Sequence, residues 1–435
     1  MKKYLSVIAV LVLCVCFMFS GCTPVLEMPT GNIFSNGGSV VMVGDYVYYA
    51  NTFVDYSSLE SGDNTEKTTE HNAMYRLKTD DKGFVTRDDD GEIQNVEKVY
   101  AKIAGFNMSN MFVVGNYLYF TSPNVHKDNS GSTKFDLTTL FRVKLNGTGL
   151  KEIYTTQTSQ GKFFLVTEQN PYLLIFDDSK IIKIEIKDNL SGKEVLIEDV
   201  LDTVFPTTYS DIDYIYYTKD ISEEDKNVGL SGNYLYKLDL STTQSVNVGK
   251  PSRETVTLVA YENNVLYYKK LVDGEALYYS NEFVGGFEAT EQQLTVVGEV
   301  DGTDSISEFT PINNEHCVYK YDSKIMLDTD TNPLVSEDGA TIELVYSDYI
   351  YYTTANGLYR INYKSREVQT VALVKDIQTG SCDIAGEYCY FYAKVEGNTT
   401  DTYYAHRANN KIIENPSRDP QVDCIAYVLA DDIEN

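Results

Sequence analysis

The sequence predicts an all-β fold of repeated four-stranded units. Three observations carry that reading: a recurring tyrosine-rich strand, a recurring basic-apolar strand, and no long stretch with helical periodicity. The first phrase reads Gly44-Asp45-Tyr46-Val47-Tyr48-Tyr49 and returns as Gly115-Asn116-Tyr117-Leu118-Tyr119-Phe120. It returns again as Ser347-Asp348-Tyr349-Ile350-Tyr351-Tyr352 and Gly386-Glu387-Tyr388-Cys389-Tyr390-Phe391. Gly-Asp and Gly-Asn pairs tolerate the positive φ of a tight hairpin turn, so each copy is a turn feeding a second strand. Within that strand both faces are apolar or amphipathic, as a sheet stacked between two neighbours requires.

The third strand has its own signature in Met74-Tyr75-Arg76-Leu77-Lys78, Leu140-Phe141-Arg142-Val143-Lys144, Leu235-Tyr236-Lys237-Leu238 and Leu358-Tyr359-Arg360-Ile361. A fourth follows a polar turn, as in Leu150–Tyr154 and Glu367–Val371. The second-strand marker centres near Tyr48, Tyr119, Leu174, Tyr216, Tyr267, Tyr319, Tyr351 and Tyr390, with the third and sixth copies degenerate. Eight units of about 50 residues fall near the range of propeller repeats, and radial closure leaves only short, protected edges. An eight-bladed β-propeller is therefore expected, with seven blades the alternative. Polar insertions are expected at Asp55–Asn72, Asp80–Gly91 and Pro123–Asp136.

Composition agrees with strands. The 435 residues include 36 Tyr and 18 Phe but no Trp, and aromatic rings pack well on a pleated surface. A net charge of −28 argues against nucleic-acid binding, which needs cations against phosphates.

The N-terminus carries an address. Lys2 and Lys3 precede an apolar run from Tyr4 to Phe19, which ends at Phe19-Ser20-Gly21-Cys22. That order is a secretory signal. The run is shorter than the roughly 20 apolar residues of a spanning helix. Small residues before a cysteine resemble the lipobox of bacterial lipoproteins, although Phe19 replaces the usual Leu or Val. The resemblance makes Cys22 the lipidated, palmitate-bearing first residue of a mature chain of charge −30. Residues 1–21 are then the signal peptide, 22–38 a lipidated N-terminus and tether whose last residues enter the first blade, and 39–430 the propeller.

The opening Gly31-Asn32-Ile33, Asn36-Gly37-Gly38 and Gly44–Asn51 resembles a family of secreted bacterial β-propellers of unknown function, built on Gly-Asp-x-Ile-Tyr-Tyr and Leu-Tyr-Arg-Ile repeats. The Leu140–Tyr154 stretch is also similar, more distantly, to the YWTD propellers of lipoprotein receptors. The resemblance implies an extracytoplasmic propeller and supplies no catalytic residues.

No local motif marks an enzyme: there is no Gly-x-Ser-x-Gly elbow, phosphate loop or Cys-x-x-Cys. His71, His126, His316 and His406 show no metal-ligand spacing. Asp328-Thr329-Asp330-Thr331-Asn332 resembles the start of a calcium loop through Asp328, Asp330 and Asn332. Pro333 stands where the turn glycine belongs, and Gly339 where the closing glutamate belongs. A hairpin loop is the plainer reading, and no cofactor is expected. Cys317, Cys382, Cys389 and Cys424 remain after signal removal; aligning the repeat puts Ile384, not Cys382, opposite Cys389. The tyrosines, Arg76, Arg142 and Arg360 are expected to serve inter-blade packing and hydrogen bonding.

These readings point to a monomeric, lipid-anchored module on the extracytoplasmic side of a bacterial membrane. It is expected to bind or scaffold a protein or glycan without catalysis. The alternatives are an envelope hydrolase with carboxylates in the funnel, and a sensor or assembly factor for a membrane protein.

Overall fold

The computed structural model describes residues 26–54, 73–79, 96–101, 111–127, 130–159, 161–166, 171–186, 192–206, 212–249, 255–272, 275–282, 291–294, 306–313, 316–328, 330–395, 402–410 and 421–426. Their strands form eight antiparallel sheets, taken in chain order as blades 1 to 8. Each sheet contains one of the eight marker positions, including the degenerate copies at Leu174 (strand Tyr172–Asp177) and Tyr319 (strand Cys317–Tyr321). Eight blades, not seven, close the ring. Blade 6 has three strands among the described residues, and an isolated bridge from Ile325 to Val335 takes the place of its fourth.

First strands touch across the junctions of blades 4 and 5, 5 and 6, 6 and 7, and 8 and 1, so the first strands line the axis. The second strands are sandwiched, and the two faces of one strand serve two different junctions. Tyr48 packs with the cluster shared by blades 1 and 2, and its hydroxyl donates to Leu145 O at 2.7 Å. Tyr49, next in sequence, packs with blade 8 and donates to Ile425 O at 2.8 Å. Burial pushes the Tyr48 phenol up to about 12, so it stays a neutral donor at physiological pH. The expected inter-blade role of the tyrosines is thus realised.

The third strands add a cation that lies over the second strand's first tyrosine. Arg76 covers Tyr46, Arg142 covers Tyr117, Arg360 covers Tyr349 and Arg407 covers Tyr388, at 4.2 to 4.5 Å. Lysines take this place in blades 3 and 4, where Lys183 covers Tyr172 and Lys237 covers Tyr214. Arg76 also donates toward Leu145 O, and Arg360 to Asn410 Oδ1, so both reach the next blade as expected.

Ring closure uses more than packing. The strand Thr52–Val54 leaves blade 1 and pairs with Thr402–Tyr404 of blade 8, while Val422–Cys424 pairs further along the same strand. Tyr392 Oη donates to Ala50 O, adding a hydrogen bond across the seam.

One expectation changes. Residues 26–38 belong to the folded body for their whole described length. Leu26 and Met28 pack against the core between blades 1 and 2, Arg76 Nη1 donates to Glu27 O, and Ile33–Phe34 pairs with Met42 and Val43. A short apolar sequence near prolines reads as a linker because its partners are distant. The Pro123–Asp136 insertion extends a hairpin: strands Tyr117–Lys127 and Thr133–Lys144 continue pairing out to Lys127 and Thr133. The Asp55–Asn72 and Asp80–Gly91 insertions lie outside the described residues. One short helix, Glu223–Asn227, sits between strands of blade 4, with Ser222 as its N-cap.

Candidate functional site

The first strands enclose a cavity of about 800 Å³ on the axis. Phe34, Phe205 and Tyr346 supply aromatic surface, and Glu343 and Asp383 are the charged residues on its wall. Phe34 and Tyr346 are half exposed, whereas the other described tyrosines are buried or partly buried.

The two carboxylates arise from the same construction. The first strand of a blade meets the next blade without a full ladder of backbone hydrogen bonds, so some amide groups need side-chain partners. Glu343, on strand Thr341–Tyr346 of blade 7, accepts from Gly380 N at 2.8 Å, on the approach to blade 8. Its other oxygen accepts from Thr353 Oγ1 at 2.9 Å. Asp383, on strand Asp383–Ala385 of blade 8, accepts from Val40 N at 3.3 Å and Ser35 Oγ at 2.9 Å, both in blade 1. It also accepts from Ile384 N at 2.8 Å. Burial raises the Asp383 carboxyl to about 6 against the opposing pull of Ser35 and the surrounding amides. Burial likewise raises Glu343, while Thr353, Gly380 and Cys382 act to lower it.

The device recurs around the ring. Asn36 of blade 1 both accepts from Val113 N and donates to Val113 O in blade 2. Asp177 of blade 3 receives Gln157 N and Tyr154 Oη from the blade 2 side. Lys162 of blade 3 donates to Thr203 O in blade 4, and Asn233 of blade 4 grips both backbone groups of Val256 in blade 5. Tyr267 Oη of blade 5 donates to Asn313 O beside blade 6, and Glu308 of blade 6 accepts from Ile342 N in blade 7. Every junction of the ring therefore carries a side-chain clamp, and the cavity carboxylates are two of them.

The histidines and the calcium-loop candidates do not converge on this cavity. His316 Nδ1 lies 3.4 Å from Asp328 Oδ1, just before strand Cys317–Tyr321. His406 lies inside strand Thr402–Asn409, stacked on Phe391, with Nδ1 2.7 Å from Tyr404 O. His126 falls on strand Tyr117–Lys127, and His71 lies outside the described residues, as does Cys22. Of the calcium-loop candidates, Asp328 faces His316, Asp330 pairs with Arg366, and Asn332 is exposed. Among the described residues no group of three or more His, Cys, Asp or Glu is placed to hold a metal ion.

Cys317, Cys382, Cys389 and Cys424 are free thiols, and Ile384 stands opposite Cys389 as the repeat alignment requires. Cys382 lines the cavity. Sequence reasoning missed Glu343 and Asp383. An acid inside the apolar run Thr341-Ile342-Glu343-Leu344-Val345 is the signal that finds the first.

No family model matches the chain, and no curated protein matches it. Among solved structures the chain is similar to Porphyromonas gingivalis dipeptidyl peptidase 4, at 10% identity over 89% of this chain and 59% of that one, with a TM-score of 0.48. It is similar to a prolyl endopeptidase at 11% identity over 87% and 54%, with a TM-score of 0.46. A eukaryotic initiation factor matches at 10% identity over 93% and 91%, with a TM-score of 0.45. The chain spans just over half the length of these two peptidases.

Proposed function

We propose that this chain is a non-catalytic recognition module of a bacterial cell envelope, held to the membrane through Cys22 and offering its ring to a protein or glycan. One observation carries the non-catalytic part. Glu343 and Asp383, the acids a hydrolase would need in the funnel, are both occupied in holding adjacent blades together. A general acid or base needs a proton route to substrate, whereas these oxygens already accept from the protein. The exposed rings of Phe34 and Tyr346 offer a stacking surface for a sugar or an apolar peptide side chain. The envelope address rests on the signal sequence ending at Cys22 and on the resemblance to secreted propellers. No described helix is long and apolar enough to cross a membrane.

A glycan array and affinity capture from envelope extract test the reading together. Binding on either, abolished by Phe34→Ala with Tyr346→Ala, supports it; no binding on both overturns it. The alternative, an envelope hydrolase, draws on one observation: two carboxyls with raised proton affinity face a single cavity. Turnover of envelope glycan or peptide that disappears in Glu343→Gln, with folding intact, would favour it.

A further inference from the structure

We infer that the anchored propeller is oriented: the face bearing the first-to-second-strand turns looks toward the membrane, and the blade 2 hairpin points away from it. This inference rests on lipid attachment at Cys22. Only Thr23, Pro24 and Val25 lie between Cys22 and Leu26. At 3.3 to 3.6 Å per residue, four steps reach about 14 Å at most.

From Leu26 onward the chain is fixed to one face. Leu26 and Met28 pack against the same core cluster as Tyr46 and Leu150, a cluster that includes Leu145; these last three lie at strand ends on the side of the Gly44-Asp45 and Asn146–Gly149 turns. Arg76 Nη1 holds Glu27 O. Asn32 O accepts from Gly44 N at 3.0 Å, in the turn itself. A Cβ on Gly44 would stand 2.2 Å from Thr30 O, so the segment lies directly against that turn. The anchor therefore leaves the ring at this face and has little slack.

The same strand directions place the blade 2 hairpin on the opposite face. Its paired strands continue from Ser122 to Lys127 past the length of the blade 1 second strand, which ends at Ala50. Six further residues extend it by about 20 Å. Asp45 and Glu387 are exposed in first-to-second-strand turns of the membrane-side face, so acidic headgroups do not draw that face in, and the short tether alone sets the distance.

The test uses the full lipidated chain on vesicles containing headgroup-quencher lipids. A fluorescent amino acid is placed either at Asn116, exposed in the blade 2 turn, or at Ser130, exposed at the hairpin tip. The expected result is at least severalfold stronger quenching at position 116 than at 130. Equal quenching, or stronger quenching at 130, on vesicle-bound protein would overturn the orientation while leaving the anchor standing. Failure of the wild-type chain to float with vesicles, or flotation of Cys22→Ala as efficient as wild type, would instead overturn the anchor and the orientation with it.

Discussion

Gly38 and Asp383 share one small volume at the seam between the first and last blades. A Cβ placed on Gly38 would stand 1.6 Å from Asp383 Oδ2, and its nearest contacts are all atoms of that carboxylate. Glycine at 38 is what lets the carboxylate reach Val40 N and Ser35 Oγ.

The first prediction is a non-additive pair. Gly38→Ala must push the carboxylate off its donors, so it and Asp383→Ala should each lower stability by roughly 2 to 4 kcal/mol, the cost of stranding buried polar groups. Because they damage one junction, adding Gly38→Ala to Asp383→Ala should cost less than about 1 kcal/mol more. Urea unfolding of the four proteins checks this, and full additivity would sink the clamp.

The second concerns pH. The folded Asp383 carboxyl titrates at about 6 against 3.8 for its ordinary value, so between those limits the folded state holds more protons than the unfolded one. Its contribution therefore falls as pH rises from about 4 to 6 and is flat above. The window spans roughly 3 kcal/mol. The stability difference between wild type and Asp383→Asn, followed from pH 4 to 7, should narrow or reverse by that order; a pH-independent difference would refute the assignment.

A third prediction separates the junctions. Tyr48→Phe removes a buried donor to Leu145 O and should cost about 1 to 2 kcal/mol. Arg76→Met should also free the segment at Glu27, read as faster hydrogen exchange at residues 26–32. Exchange there that matches wild type would show that Leu26 and Met28 suffice to hold it.

The fourth follows from the thiols. Burial holds both Cys317 and Cys382 well above the ordinary thiol range, with the Asp328 charge adding to the first and Cys389 and Glu343 to the second. Little thiolate forms near neutrality, so iodoacetamide should label them at least tenfold more slowly in the folded protein than in urea.

Much of the fold was legible because blade units repeat locally. Turn chemistry at Gly44-Asp45 and period-two burial at Tyr46–Tyr49 recur until the pattern outweighs the degenerate copies at Leu174 and Tyr319. The opposition of Ile384 and Cys389 followed from the same alignment. The clamps were not legible. Asp383 meets Ser35 across nearly the whole chain, and no local period encodes which acid faces an unpaired amide across a blade junction. The packing of Leu26 and Met28 was hidden for the same reason, since their partners belong to two different blades.

Hydrogen exchange at Val40 in Asp383→Ala tests the central claim most directly. If the carboxylate is a seam clamp, that amide should exchange roughly 30-fold faster or more, while amides of the distant strand Tyr214–Asp220 keep nearly their wild-type rates. Unchanged exchange at Val40 in a folded variant would contradict it and return Asp383 to the list of groups free for chemistry.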